Sequence, residues 1–201
     1  MGRRSDHSRD ELHALILTAG ADLLAEVGLA GFSAREVARR VGYSIGTIHN
    51  VFGNTDGLIT AINTRSFGLW AAWLDERLAA AGDGDRIAAL VDGYFGFARA
   101  NTGLWTAIFD HRLPQLSDAD HQARGLLTQT VTTEIARALN RPADEKTASL
   151  AKSLVAIVHG HTTLSLSPTW ALMGESSPDI AALARVREVL AVQATAGRPP
   201  S

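Results

Sequence analysis

Apolar residues recur along this chain at intervals of three and four, and no run alternates in the period-two manner of a strand. The first segment runs from Ser8 to about Val27, with Leu12, Leu15, Ile16, Ala19, Leu23 and Val27 on one stripe. Ser8 and Glu11 have capping-box spacing at its start, and Gly28 is a natural stop. A short helix follows Ser33, which repeats the box spacing with Glu36, and ends at Gly42. A third spans roughly Ile45 to Val51 behind a Ser44 cap. Asn54 or Thr55 then caps a longer helix to about Ala80, whose apolar face includes Leu58, Ile62, Leu69 and Trp73.

The second half continues in the same period. Ile87, Leu90, Val91, Tyr94 and Phe97 predict a helix ending near Ala100, and Leu104 to Phe109 a short one. His111 to Ser117, with Pro114, reads as a loop. Leu127, Val131, Ile135 and Leu139 form a seam ending at Asn140. Pro142 suits the first turn of a helix that Leu150, Leu154, Ile157, Val158, His161 and Leu164 continue. Breaks at Ser167-Pro168 and Ser176-Ser177-Pro178 precede a last helix with Ile180, Leu183, Val186 and Leu190. The first residues and the tail from Ala196 are expected to be disordered. The pattern predicts an all-α chain of about nine helices.

Composition narrows the function classes. The chain has 201 residues, enough for a sizeable core. Nineteen basic against 21 acidic residues give a net charge of −2, so binding to a polyanion must come from a local patch. There is no Cys, which excludes disulfides, thiolate metal sites and Cys nucleophiles. The N-terminus lacks the apolar core of a secretory signal. The strongest membrane-like stretch, Leu154 to Leu166, is interrupted by His159 and His161. A soluble cytoplasmic protein with no membrane partner is expected.

Residues 33–52 carry the most information. Ala34 to Val41, then Gly42-Tyr43-Ser44, then a second short helix is helix-turn-helix spacing. Val37, Ala38, Val41, Ile48 and Phe52 can pack both helices on the first segment, and Gly42 supplies the positive φ of a tight turn. Thr47, His49 and Asn50 are small or polar groups suited to the major groove, with Ile45 available for a thymine methyl. Ser33 and Ser44 stand where helix N-termini offer N–H groups to phosphates. Arg35, Arg39 and Arg40 against Glu36 make the segment +2, and Arg3, Arg4 and Arg9 add a basic arm. On spacing alone, two short amphipathic helices of an α-bundle would read the same way.

The stretch from Ile16 to Ala61, and above all its G-Y-S-x-G-T-I-x-x-x-F core, resembles the DNA-binding domain of tetracycline-repressor (TetR) family regulators. Leu104-Trp105-Thr106-Ala107-Ile108-Phe109 and Val158-His159-Gly160 are similar to the subgroup with a WHG-type ligand domain. The resemblance implies a three-helix reading head within 1–54, with its helix-turn-helix at about 33–52. It implies a ligand-binding and dimerisation domain over 55–201, and a homodimer. It places Ser33, Arg35, Ser44, Gly46 and Thr47 among phosphate or base contacts, and Ile45 and Asn50 at base-facing positions. Three positions depart from the family's habit. His49 stands where a phosphate-binding Tyr is usual, Val51 replaces a common His, and Thr55 replaces a Lys that commonly contacts phosphate. Each lost contact weakens binding to all sequences alike, while His49 can restore some charge when protonated. A ligand-binding dimer that has lost specific DNA binding is therefore the rival reading.

The second domain is rich in aromatics and poor in convergent cations, which favours a small apolar or aromatic effector. Trp73, Phe95, Trp105, Phe109, Thr130 and His159 are the expected pocket residues. His159 and His161 lie about 200° apart on a helix and cannot chelate one ion, so no metal or other cofactor is expected. Segments 142–166 and 179–193 are apolar on more than one face, as a two-fold four-helix dimer interface would require. No nucleophile elbow, zinc-protease motif or nucleotide loop is present, so no catalytic residue is assigned.

Overall fold

In the computed structural model, residues 7–111, 116–167, 170, 172, 174 and 176–196 are described. The expected basic arm at Arg3 and Arg4, the loop residue Pro114, the break residue Pro168 and the tail beyond Ala196 lie outside them. Nine helices are present among the described residues and no strand: α1 (Arg9–Gly31), α2 (Ala34–Val41), α3 (Ile45–Phe52), α4 (Thr55–Ala81), α5 (Arg86–Ala100), α6 (Thr102–Asp110), α7 (Asp118–Ala138), α8 (Glu145–Ser165) and α9 (Pro178–Ala196).

The helix starts follow the capping chemistry with two exceptions. At α1 the box closes: the Glu11 amide donates to Ser8 Oγ at 3.3 Å and the Ser8 amide to Glu11 Oε2 at 2.7 Å. The helix kinks at Gly28, whose φ of 66° is left-handed, and adds one further turn. The box expected at Ser33 does not form, because the Glu36 carboxylate is drawn to Arg39 and Arg40 instead. Pro142 does not begin α8. Asp144 caps it, accepting from the Thr147 amide, and the Pro142 carbonyl accepts from the Thr147 hydroxyl. α7 begins earlier than its apolar seam, at Asp118, where Ser117 and Asp120 cap each other across a polar first turn.

The chain folds as two compact units. The first comprises the chain up to Phe67 together with residues 101–123; the second comprises residues 68–100 and everything from Arg124 on. In the first unit, Ile16, Leu23 and Leu24 of α1 meet Val37, Ala38, Ile48, Leu58 and Ile62. Burying each large side chain contributes roughly 1.5–3 kcal/mol. Leu104 and Ala107 of α6 close the same core. Two glycines permit the close approaches: a Cβ on Gly57 would meet the Phe52 carbonyl oxygen at 2.0 Å, and one on Gly103 the Leu24 oxygen at 2.6 Å. α4 is tied to α6 by the buried Asn63, whose Nδ2 donates to the Ala107 carbonyl at 3.1 Å. α1 is also the one described helix long and apolar enough to cross a membrane, with mean hydropathy 1.5 over eighteen residues, a signal stronger than the one expected at Leu154–Leu166. Its apolar stripe is the one that fills this core.

The second unit holds the latter part of α4, with α5, most of α7, α8 and α9. Trp70 stacks on Phe97 at 5.2 Å, Tyr94 meets Trp70 edge-on at 4.8 Å, and Phe95 is fully buried. The aromatics thus fill the seam between α4 and α5. An ion pair inside this unit, Arg86 to Glu134 at 2.6 Å, joins α5 to α7, with the guanidinium also donating to the Leu78 and Gly82 carbonyls.

Candidate nucleic-acid interface and interior cavity

The turn between α2 and α3 is built as its residues dictate. Gly42 ends α2 in the left-handed region at φ 74°, and Ser44 caps α3 by accepting from the Thr47 amide at 3.2 Å. The Thr47 hydroxyl lies 3.1 Å from Ser44 Oγ. Ile48 is fully buried and fixes the roll of α3, with Val51 and Phe52 packed on the same core. Ile45, Gly46, His49 and Asn50, offset by one, four and five positions, then share the exposed side. Ile45 keeps 38% of its surface open to solvent.

The charges around this face are not equivalent. Glu36 accepts from Arg39 at 2.8 Å and from Arg40 at 3.2 Å, and Arg40 also reaches Glu26 on α1 at 2.6 Å. Hydrogen bonds from Arg39 and then Arg40 hold the Glu36 carboxyl down at about 2. Two of the segment's three arginines therefore brace α2 against itself and α1. Arg35 is exposed and forms no ion pair with any described residue. Ser33 is exposed with extended backbone (φ −142°, ψ 119°) and no capping bond, and Thr55 is half-buried at the first residue of α4. The sequence pattern did not anticipate a pair beside the turn: Tyr43 Oη and His7 Nδ1 lie 3.0 Å apart.

In the second unit, five helices surround a cavity of about 50 Å³. Its wall is Leu74 of α4, with Ile87, Leu90, Val91 and Tyr94 of α5. Val131 and Ile135 of α7, Leu154, Val155 and Val158 of α8, and Val186 of α9 complete it. Among the described lining residues only Tyr94 has a polar side-chain group; its Oη lies 2.9 Å from His159 Nδ1, and His159 Nε2 lies 3.3 Å from Thr163 Oγ1.

The six expected pocket residues fall in both units. Trp73 donates its Nε1 to the Gly93 carbonyl at 3.0 Å beneath the Arg77 guanidinium. Phe95 sits in the core, and Thr130 lines an outer groove above Arg86 and Glu134. Trp105 and Phe109 belong to α6 in the other unit, their rings 5.2 Å apart. His159 reaches the cavity wall through Tyr94. The signal that could have found the lining was the Ile87, Leu90, Val91, Tyr94 stripe, which a core helix produces equally well.

Two family profiles match the sequence. That of bacterial regulatory proteins of the tetR family covers residues 16–62, and that of the tetracyclin repressor-like C-terminal domain covers residues 87–190. The chain belongs to the TetR family.

Solved structures share its fold. A Rhodococcus sp. RHA1 protein of unknown function is 21% identical at a TM-score of 0.73, covering 94% of this chain and 97% of its own. A TetR-family transcriptional regulator from Streptomyces coelicolor is 27% identical at 0.65, covering 90% and 98%. RolR, solved in complex with resorcinol, is 19% identical at 0.67, covering 96% and 97%. No curated protein sequence matches this one. The exposed face of Ile45, Gly46, His49 and Asn50 lies within the stretch matched by the N-terminal profile, and every cavity-lining residue but Leu74 within that matched by the C-terminal one.

Proposed function

We propose that this TetR-family protein is a ligand-responsive repressor that binds a palindromic operator as a homodimer and releases it when a small apolar molecule enters the C-terminal domain. The supporting observation is the exposed side of α3, where Ile45, Gly46, His49 and Asn50 stand opposite a fully buried Ile48. Asn50 can pair with adenine and Ile45 can meet a thymine methyl. Thr47, Ser33, Ser44 and Arg35 position the head on phosphates, with Thr55 beside them at the start of α4. The protein acts in the cytoplasm and catalyses no reaction.

α4 supplies Leu58 and Ile62 to the head core and Leu74 to the cavity wall within one continuous helix. A ligand that displaces Leu74 therefore acts on an element of the head. Lowering occupancy a hundredfold requires the ligand to discriminate between the two conformations by about 2.7 kcal/mol. RolR carries resorcinol and a multidrug-binding relative, EbrR, carries imidazole. Both support a small-molecule chamber in this architecture.

The rival reading, a ligand-binding dimer without specific DNA binding, draws on the ion pairs that occupy Arg39 and Arg40. One experiment separates the two. Genomic DNA is selected on the purified protein and on a Thr47→Ala, Asn50→Ala variant. A palindromic site enriched by the wild type and lost in the variant is expected. No enrichment at low salt from a folded dimer would overturn the repressor reading.

A further inference from the structure

A groove on the outside of the second unit carries the chemistry of a ligand site separate from the interior cavity and independent of the repressor reading. One wall is the face of α4 that holds Asp75, Leu78 and Ala79, which share a side by their offsets of three and four. The other is a face of α7 running from Leu126 to Glu134, two turns and about 12 Å of helix. Arg86, at the start of α5, completes the lining. The groove encloses about 490 Å³, against about 50 Å³ for the interior cavity. That lies within the roughly 300–1,000 Å³ of small-molecule sites.

Its charges do not cancel. Arg86 donates to both oxygens of the buried Glu134, from Nε to Oε2 at 2.6 Å and from Nη2 to Oε1 at 2.7 Å. Nη1 donates to the Leu78 and Gly82 carbonyls, each at 2.9 Å. Those bonds engage four of the five N–H groups of a guanidinium, so Arg86 has little left to offer an anion. Asp75 is exposed and makes no ion pair with any described residue, which leaves the groove with one uncompensated negative charge. The hydroxyls of α7 divide in the same way. Thr128 and Thr132 donate back to the carbonyls of Arg124 and Thr128, the usual way for a helical Thr to satisfy itself. Thr130 and Thr133, which line the groove beside Gln129, make no hydrogen bond with any described residue.

These groups select against most ligand chemistries. An anion would meet the Asp75 and Glu134 carboxylates with no uncommitted cation to balance it. A hydrocarbon could cover Leu78, Ala79 and the half-exposed Leu126, but would strip water from the Thr130 and Thr133 hydroxyls without replacing it. An ammonium group that carries N–H bonds can donate to Asp75 and to the threonine oxygens, and charge-assisted bonds of this kind are the stronger class. The three apolar side chains then suit a hydrocarbon body attached to it. We infer that this groove binds an organic amine in its protonated form, with its N–H donors on Asp75, Thr130 and Thr133 and its hydrocarbon part on Leu78, Ala79 and Leu126.

The test measures binding directly, on the full chain and without DNA. 2-Phenylethylamine, its N,N,N-trimethyl analogue, 2-phenylethanol and 3-phenylpropanoate are titrated at pH 7.5 by calorimetry, at 50 and 300 mM salt. The primary amine is expected to bind, and less tightly at the higher salt. The alcohol should bind about three- to fivefold more weakly, the worth of one exposed charge pair, and the carboxylate not measurably. The trimethyl analogue keeps the charge but has no N–H to donate, so it should also fall below the amine. Asp75→Asn should bring the amine down to the level of the alcohol and leave the alcohol unchanged. Ala79→Phe puts a ring into the groove from an exposed position and should abolish all binding in a protein of unchanged helicity. Carboxylate or trimethyl analogue binding as tight as the primary amine would overturn the inference. So would amine binding that survives either variant unchanged, or no binding by any probe.

Discussion

Arg35 differs from its two neighbours because it holds no carboxylate among the described residues. Arg39 and Arg40 share Glu36, and Arg40 also holds Glu26, so bringing either to a phosphate means separating it from an anion first. Arg35 can release counterions from DNA without that cost. Each phosphate neutralised steepens the logarithmic salt dependence of binding by about 0.9. Arg35→Ala is therefore expected to lower the slope for the selected operator by about one and to weaken binding to all sequences alike. Arg39→Ala should leave the slope nearly unchanged. Fluorescence anisotropy between 50 and 300 mM salt reads both, and equal loss of slope in the two variants would show that the ion pairs open on DNA.

Among elements, α2 shows how a charge count and a structure differ. Residues 33–52 sum to +2, yet the placement of Glu36 one turn before both arginines turns most of that charge into a brace from α2 to α1. The brace has a pH signature. The folded Glu36 carboxyl lies near 2 against an ordinary 4.5, a depressed value caused by hydrogen bonds from Arg39 and Arg40. Its contribution to stability is thus complete above about pH 4.5 and is lost as pH falls towards 2. Glu36→Gln should lower the melting temperature at pH 6, and the difference from wild type should shrink between pH 4.5 and 2. The pair is solvent-exposed, so the effect is modest and weaker in high salt. A difference that stays constant down to pH 2 would locate the loss elsewhere.

The same scale shows what was legible in the sequence. The reading head was: Ser8, Gly42 and Ser44 act through local backbone chemistry, and the buried period of Val37, Ala38 and Ile48 can be read without a partner. The cavity was not. Trp73, Phe95 and Trp105 share helical spacing with the residues that line the cavity, and period alone cannot tell a side chain that fills a core from one that borders a gap. Nor could it place α6 in the head unit, because Leu104 and Ala107 meet α1 through a backbone approach at Gly103 that depends on a distant glycine. Asp144 rather than Pro142 caps α8 because a side-chain acceptor at the right spacing satisfies an amide that proline merely lacks.

For the whole molecule, the deciding feature is that α8 and α9 keep apolar side chains exposed to solvent. Of the apolar residues expected at a dimer interface, Leu154, Val158, Val186 and Leu190 are buried within the chain's own unit. Leu150 and Ile157 are half-buried, Leu164 is 43% exposed, and on α9 Ile180 is 68% and Val192 64% exposed. Leu150, Ile157 and Leu164 recur at seven residues, with Ser153 and Gly160 at the intervening positions. That is a seam whose small residues let a second helix approach closely. Two copies joined there would form a four-helix bundle with two-fold symmetry. Such a dimer would present two recognition helices to successive half-sites, which is the basis for expecting a palindrome. Ile157→Arg with Leu164→Arg places two charges on this seam at positions that keep contact with solvent, so the fold should survive while the interface does not. Light scattering is expected to give twice the 21.4 kDa chain for the wild type and the single chain for the variant. The variant should keep its helicity and its cavity binding, because neither residue lines that space. Its operator affinity should fall far more than its affinity for a single half-site, since linking two heads raises avidity without altering either contact. A double variant that remains dimeric would move the interface off α8, and the palindrome would then need a different geometric origin.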